Sequence, residues 1–467
     1  MAKDFIVAIE LGSSKMTGIA GRKNPDGSIS ILAVAKEDSA SYIRKGVAYN
    51  IERTAQGLSN IVSKLKNTLK TEIEQVYVGI GGQSIHSVKN SIVKELPLDC
   101  IVSQEMVNEL MDTNRSMEYK DCEILDAITQ EYNVDGHYED DPVGIQARHL
   151  EGNFLNVLWR RSFYRNLNKS LDNAGIKVAE MYLAPLTMAD CVLTEAEKRA
   201  GCLLVDLGAD TTTVSVYHRN KLRHIAVLPL GGSNVTKDLE SLQIDEINAE
   251  AMKLKHASAL TNEKDIDAEA TLPIDDDRTI LSRKFIQVVE ARMLEIVENV
   301  KYLVPHEFAD KLLGGIVLTG GGSNMKNVEK LFREVFGAEK VRIAKSTTLN
   351  INKKDSDVIL SEDGTTNTIL GLLAKGDMNC AGRAISETLF DEEEESGSEN
   401  TVSLDPTLAA TGTGAQPAAQ TAAQPAAVAE EEEEEKAPEP HKPTKISRFF
   451  GSLKKFGSSI FEPDVNE

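Results

Sequence analysis

Cysteine is scarce in this chain: five in 467 residues, at Cys100, Cys122, Cys191, Cys202 and Cys380. Their number is odd, they are widely spaced and none forms a Cys-x-x-Cys pair, which argues against a disulfide framework or a zinc site. Reduced, mostly buried thiols in a cytoplasmic protein are expected. Positive charge is also short. Lys and Arg total 52 against 73 Asp and Glu, a formal net charge of −21 that argues against general nucleic-acid binding. No signal peptide is expected, because Met1-Ala2-Lys3-Asp4 leads directly into an apolar run. Against these shortages stands 41% hydrophobic content, enough for a full core, expected as two lobes.

The most informative positive feature is a repeated design. Residues 5–21 read FIVAIELGSSKMTGIAG and residues 203–217 read LLVDLGADTTTVSVY. In each, a strand-like apolar run reaches an acid (Glu10, Asp206), then Leu-Gly, a hydroxyl-rich turn and a second strand-like run. Gly12 and Gly208 let the backbone bend and approach a ligand, so that N–H groups and the hydroxyls of Ser13, Ser14 and Thr211 can donate to phosphate oxygens. Lys15 joins them as a binding candidate. Glu10 and Asp206 can hold Mg²⁺ through water, since a hard cation shared with phosphates prefers carboxylate and water ligands.

A third glycine-rich turn lies in residues 315–327, GIVLTGGGSNMKN: a buried-strand pattern, Gly320-Gly321-Gly322, then a helix expected to start at Ser323 or Asn324. Bare backbone beside a helix N-terminus suits a nucleotide's sugar and phosphate. The plainer reading is a strand-to-helix turn of an α/β sheet.

Taken in order, the three loops resemble the actin-like ATPase superfamily and, within it, the FtsA family of bacterial cell division proteins. The resemblance runs along most of residues 5–376 and includes VYVGIGGQSIHSV (76–88), DPVGIQA (141–147), APLTMADCVLTEAEKRAG (184–201), LRHIAVLPLGGSNVTKDL (222–239) and DEINAEAMKLKHASA (245–259). It implies an α/β, actin-like two-lobed fold of two related halves. The first half is expected at 1–82 and, with a connecting helix, 161–200, interrupted by an inserted subdomain at 83–160 used for contacts between neighbouring subunits. The second half is expected at 201–233 and 302–390, with a nucleotide-side subdomain at 234–301. In that subdomain a long helical pattern spans 279–304, with Ile280, Leu281, Phe285, Val288, Val289, Met293, Ile296, Val297 and Val300 inward. Glu250 and Lys253, one helical turn apart, are where the superfamily contacts ribose and adenine; a surface ion pair is the plainer reading. The resemblance further implies ATP and Mg binding, self-association into filaments, and tethering of the tubulin-like FtsZ to the cytoplasmic face of the inner membrane at the septum, where later division proteins are recruited. The alternatives are an ATP-dependent phosphotransferase or chaperone on the same fold, or a pilus-assembly ATP-binding protein.

Three positions depart from the superfamily pattern. Glu10 replaces the usual Asp, Thr213 stands where a second Asp is common, and Ala184 precedes Pro185 where a glutamate often positions the attacking water. Without a carboxylate there, binding is expected to survive and hydrolysis to be slow, at most that of a weak ATPase.

Residues 391–443 are expected to be a disordered linker: between 391 and 440 fourteen acids face Lys436 alone, amid Ala, Thr, Gln and Pro with almost no large apolar residue. Residues 444–467 then change character. Ile446, Phe449, Phe450, Leu453, Phe456 and Ile460 fall on one helical stripe, with Lys445, Arg448, Lys454 and Lys455 beside it. The segment is too short and charged to span a bilayer, which takes about 20 apolar residues, and suits a helix lying in an anionic lipid interface. The alternatives are a partner-binding helix or one that docks on the protein's own body. Phe450→Glu with Phe456→Glu removes two anchors, each worth on the order of 1.5–3 kcal/mol when buried. Vesicle flotation in low and high salt is expected to show a loss of several orders of magnitude in partitioning, with ATP binding unchanged. Equal flotation of variant and parent would rule the stripe out as the anchor.

Overall fold

The computed structural model describes residues 4–262, 267, 269–275, 277–352 and 360–384. The linker expected at 391–443 and the amphipathic stripe Ile446, Phe449, Phe450, Leu453, Lys454, Lys455, Phe456 and Ile460 lie outside the described residues.

Two sheets carry the same five-strand order. In the first half, strand Ile6–Leu11 pairs antiparallel with Lys15–Lys23, which pairs with Ile29–Asp38; on its other side it runs parallel to Val76–Ile80, and that strand parallel to Val178–Leu183. In the second half, Cys202–Leu207 takes the central place, antiparallel to Thr212–His218 and then Lys221–Leu228, and parallel to Gly315–Thr319 and then Val341–Ile343. The parallel strands read as unbroken apolar runs, VYVGI and GIVLT, because helices cover both faces and leave no solvent side to alternate with.

Helix Ile51–Leu69 opens on Asn50, whose side chain accepts from Arg53 N, and buries Leu58, Ile61 and Leu65. It packs with Arg161–Asn173, while Ala184–Val192 packs with Asn367–Lys375. The single connecting helix expected over 184–201 is two: Ala184–Val192 and Glu195–Ala200, with Leu193 extended between them. A capping box causes the break. The Thr194 hydroxyl accepts from Glu197 N at 3.2 Å, and the Glu197 carboxylate accepts from Thr194 N at 2.8 Å. Glu197 is further held by Arg342 at 2.6 and 2.8 Å.

The long helix starts three residues later than its pattern suggests, spanning Ser282–Leu303. Residues Thr279–Leu281 form a short strand against Thr271–Pro273, which leaves Leu281 51% exposed rather than inward. Phe285, Val289, Met293, Ile296, Val297 and Val300 do face the core.

The inserted module has strands His86–Glu95, Cys122–Val134 and His149–Arg160, the last pairing antiparallel with both others, and a helix Gln104–Arg115. It owns a separate core around Leu110, Leu150 and Phe154. Beneath the helix, the buried Asn114 and Asn156 exchange reciprocal amide hydrogen bonds of 2.7 and 2.9 Å. At its base Trp159 Nε1 donates to Gln83 O at 3.1 Å, closing the module's exit onto its entry. Its edge meets the second half where His86 pairs with Ala226 and Val227 N donates to Ile85 O at 3.2 Å. All five cysteines are free thiols, three of them buried.

Candidate nucleotide site

Glu10 and Asp206 occupy the same register in the two sheets. Each lies next to last in its central strand, opposite a threonine seven residues on, Thr17 for Glu10 and Thr213 for Asp206. Burial, then the charge of Asp206, pushes Glu10 up to about 8, against the pull of Lys15; burial pushes Asp206 up to about 6. Two carboxylates that resist ionising side by side fit a divalent cation. Among the described residues no group of three His, Cys, Asp or Glu could hold a metal ion. A Mg²⁺ shared by Glu10 and Asp206 would therefore complete its shell with phosphate oxygens and water.

The two glycine turns are tight. A Cβ at Gly12 would lie 2.5 Å from Lys15 O, and one at Gly208 2.8 Å from Thr211 O. Gly208 N donates to Thr211 O at 2.9 Å, so this N–H closes its own turn instead of facing a phosphate, contrary to the sequence expectation. The Ser13 hydroxyl accepts from Gly46 N at 2.8 Å, which leaves its proton to donate. Ser14 is exposed, and its carbonyl accepts from Ser39 N at 3.2 Å. Lys45 N donates to Asp210 Oδ2 at 3.1 Å. Residues Lys45 and Gly46 thus tie one glycine turn to the other. Sequence reasoning missed them, because nothing in a local pattern marks a backbone N–H that crosses a cleft.

In the third turn Gly320 has φ +81°, and a Cβ there would collide with Asp206 Oδ1. A Cβ at Gly322 would lie 3.0 Å from Leu207 Cβ, whereas one at Gly321 meets only Thr365 Cγ2 at 3.6 Å. The helix expected from Ser323 or Asn324 is instead one 3₁₀ turn, Gly321–Asn324, and the α-helix begins at Val328. Ser323 is fully buried and donates to Gly320 O at 2.7 Å, so it shapes the turn rather than a ligand contact. Asn324 Nδ2, donating to Asp363 O at 2.7 Å, pins the turn from outside.

Glu250 and Lys253 come together beside the second turn. Lys253 Nζ donates to Glu250 Oε2 at 2.5 Å, Thr236 Oγ1 at 3.0 Å and Gly232 O at 3.2 Å, while Gly232 N donates to Gly208 O at 3.0 Å. They form an ion pair, and it is wired to the glycine turn. At the departures, Thr213 is buried opposite Asp206 and Ala184 is buried beside Gly79.

Paired five-strand sheets, each presenting an acid and a glycine turn to a shared cleft, define an actin-like fold. A chain of the PilM–PilN type IV pilus biogenesis complex shares that fold at a TM-score of 0.53 and 16% identity, over 80% of this chain and 98% of its own. Residues 203–361 match the family model for cell division protein FtsA, and residues 82–158 match that for the SHS2 domain inserted in FtsA. The cell division protein FtsA of Porphyromonas gingivalis is 31% identical over 379 residues, 80% of this chain and 78% of that one; the Neisseria meningitidis protein is 29% identical over 340 residues, covering 71% and 82%. The chain belongs to the FtsA family of cell division proteins.

Both carboxylates titrate higher folded than their ordinary values of 4.5 and 3.8. Their contribution to stability is therefore complete below about pH 4 and lost as pH rises through about 6 for Asp206 and about 8 for Glu10. Glu10→Gln is expected to raise the melting temperature at about pH 9 and leave it nearly unchanged at about pH 4. Thermal unfolding followed by circular dichroism checks this. A variant that gains nothing at high pH would show that the pair ionises without penalty.

Proposed function

We propose that this chain binds Mg-ATP in the cleft between its halves, self-associates, and tethers FtsZ to the cytoplasmic face of the inner membrane at the division septum, where later division proteins join. The observation that carries the nucleotide reading is the facing pair Glu10 and Asp206, desolvated and mutually repelling between two glycine turns. Bound Mg-ATP brings the cation those acids need and a phosphoanhydride that water can cleave. Ser13, Ser14, Lys15 and Thr211 hold phosphate, Gly320, Gly321 and Gly322 floor the sugar, and Glu250 with Lys253 meets the ribose and adenine. Family membership supports the division role. No helix among the described residues is long and apolar enough to cross a membrane; attachment is assigned to residues 444–467, through Phe449, Phe450, Leu453, Phe456 and the lysines beside them.

Hydrolysis is expected to be slow because Ala184 presents a methyl group where water would need a carboxylate. Phosphate release should fall far below the roughly 1–100 s⁻¹ of kinases, and Ala184→Glu should raise it. Turnover at kinase rates in the parent would mean that another group orients the water.

Gly321→Val tests the cleft cleanly, since its Cβ position meets only Thr365 and the fold has room for it. The expected result is loss of ATP affinity by calorimetry with an unchanged melting temperature. Unaltered affinity would remove the nucleotide assignment.

A further inference from the structure

One face of the first half is basic although the whole chain carries −21. Helix Arg161–Asn173 packs against the short hairpin of Ile43–Arg44 and Val47–Ala48, with Asn166 Nδ2 donating to Ala48 O at 3.3 Å. Lys45 O accepts from Gln83 N at 2.8 Å, and the next residue, Ser84, accepts from Arg160 N through Oγ at 3.3 Å. These contacts bring Arg44 and Lys45 beside Arg160, with Arg165 and Lys169 following along the helix and Arg53 in the first turn of Ile51–Leu69. All six are exposed, and none makes an ion pair among the described residues. Glu52 and Asp172 are the exposed acids on the same two helices, so cations prevail. The Arg44 guanidinium lies 4.2 Å over the Tyr49 ring, itself 63% exposed, so a ring with a polar tip and a cation project together.

Unpaired cations are unusual on a surface with acid to spare, since a surplus of carboxylates offers partners everywhere. Spread over a hairpin and two helices, they offer no single slot for a peptide. A plane of mobile anionic head groups can meet each of them separately. We propose that this face is a lipid contact of the folded body, lying on anionic head groups and orienting the chain on the membrane surface; the inference rests on the membrane-tethering reading above.

The test uses the full-length chain and co-sedimentation with phosphatidylcholine vesicles, with and without about 30% phosphatidylglycerol, at about 0.1 M salt. Near an anionic surface each cation contributes about a fivefold gain in binding, so Arg165→Glu with Lys169→Glu should weaken binding to the anionic vesicles at least tenfold. Binding to neutral vesicles and ATP affinity should not change. Lys284→Glu with Lys330→Glu, exposed lysines of the second half, makes the same change in net charge and should cost far less. Equal losses in the two pairs would reduce the effect to overall charge and overturn the proposal. So would undiminished vesicle binding of the Arg165/Lys169 variant, including the case where it loses binding to an oligoglutamate probe and the face is one for an acidic protein. The Phe450→Glu/Phe456→Glu variant separates the two readings. If it alone loses the membrane, tethering holds and the body contact fails; if it binds as the parent does, the tail reading fails.

Discussion

Two acids in one cleft, each fixed by its own sheet, set the condition that the rest of this molecule has to satisfy. Glu10 and Asp206 are placed by register, so neither can move away without unzipping a central strand. Burial and mutual repulsion disfavour their charged forms. The direct ties across the glycine turns are slight by comparison: Lys45 N to Asp210 and Gly46 N to Ser13, each worth about 0.5–1.5 kcal/mol net. Charge in the cleft therefore outweighs the bridging hydrogen bonds in deciding how firmly the turns are held together. A cation with phosphates would relieve the repulsion and engage both turns at once.

The parts of the site that were legible in the sequence are those where backbone geometry leaves one residue type. At Gly12 and Gly208 a side chain would strike the carbonyl three residues on, so the glycines mark tight turns wherever they fall. The acids before them follow from the same hairpin pattern. Less was legible where a side chain's role depends on what arrives from elsewhere. Ser323 looks like a helix-start hydroxyl, yet the strand Cys202–Leu207 crowds the third turn through Asp206 and Leu207, and the hydroxyl is spent on Gly320. Leu281 fits the apolar stripe of the helix that follows, but pairing with Thr271 takes it into a strand. The break between Val192 and Glu195 was readable in principle: Thr194 and Glu197 are a capping box, hidden inside a run of strong helix formers.

The inserted module is attached to both halves by different means. Its chain enters and leaves through the first half, where Trp159 locks the exit to Gln83, but its sheet edge continues into the second half through the His86 and Ala226 pair. Its own core and the reciprocal Asn114–Asn156 pair let it move as a unit. A buried amide pair with both members satisfied holds one register of helix against strand, since either partner left alone in an apolar layer would cost about 1–3 kcal/mol. A change in the angle between halves must then be absorbed at the narrow seam around residue 86, not inside the module.

The chemistry that the cleft lacks is consistent with that mechanical role. Binding groups crowd the glycine turns, while the positions that would orient a water hold a buried methyl at Ala184 and a buried threonine at Thr213. Thr213 faces Asp206 across the hairpin, just as Thr17 faces Glu10. The two halves are therefore alike at the position where an efficient hydrolase would differ, carrying an extra acid on one side only. Adding a carboxylate at 213 would place a third acid beside a pair that already resists ionisation, and the apo fold would bear that repulsion whenever no cation was bound. Giving up the third acid lowers the cost of holding the cleft together. The same omission lengthens the life of any bound triphosphate, and a scaffold whose task is to stay assembled gains from both.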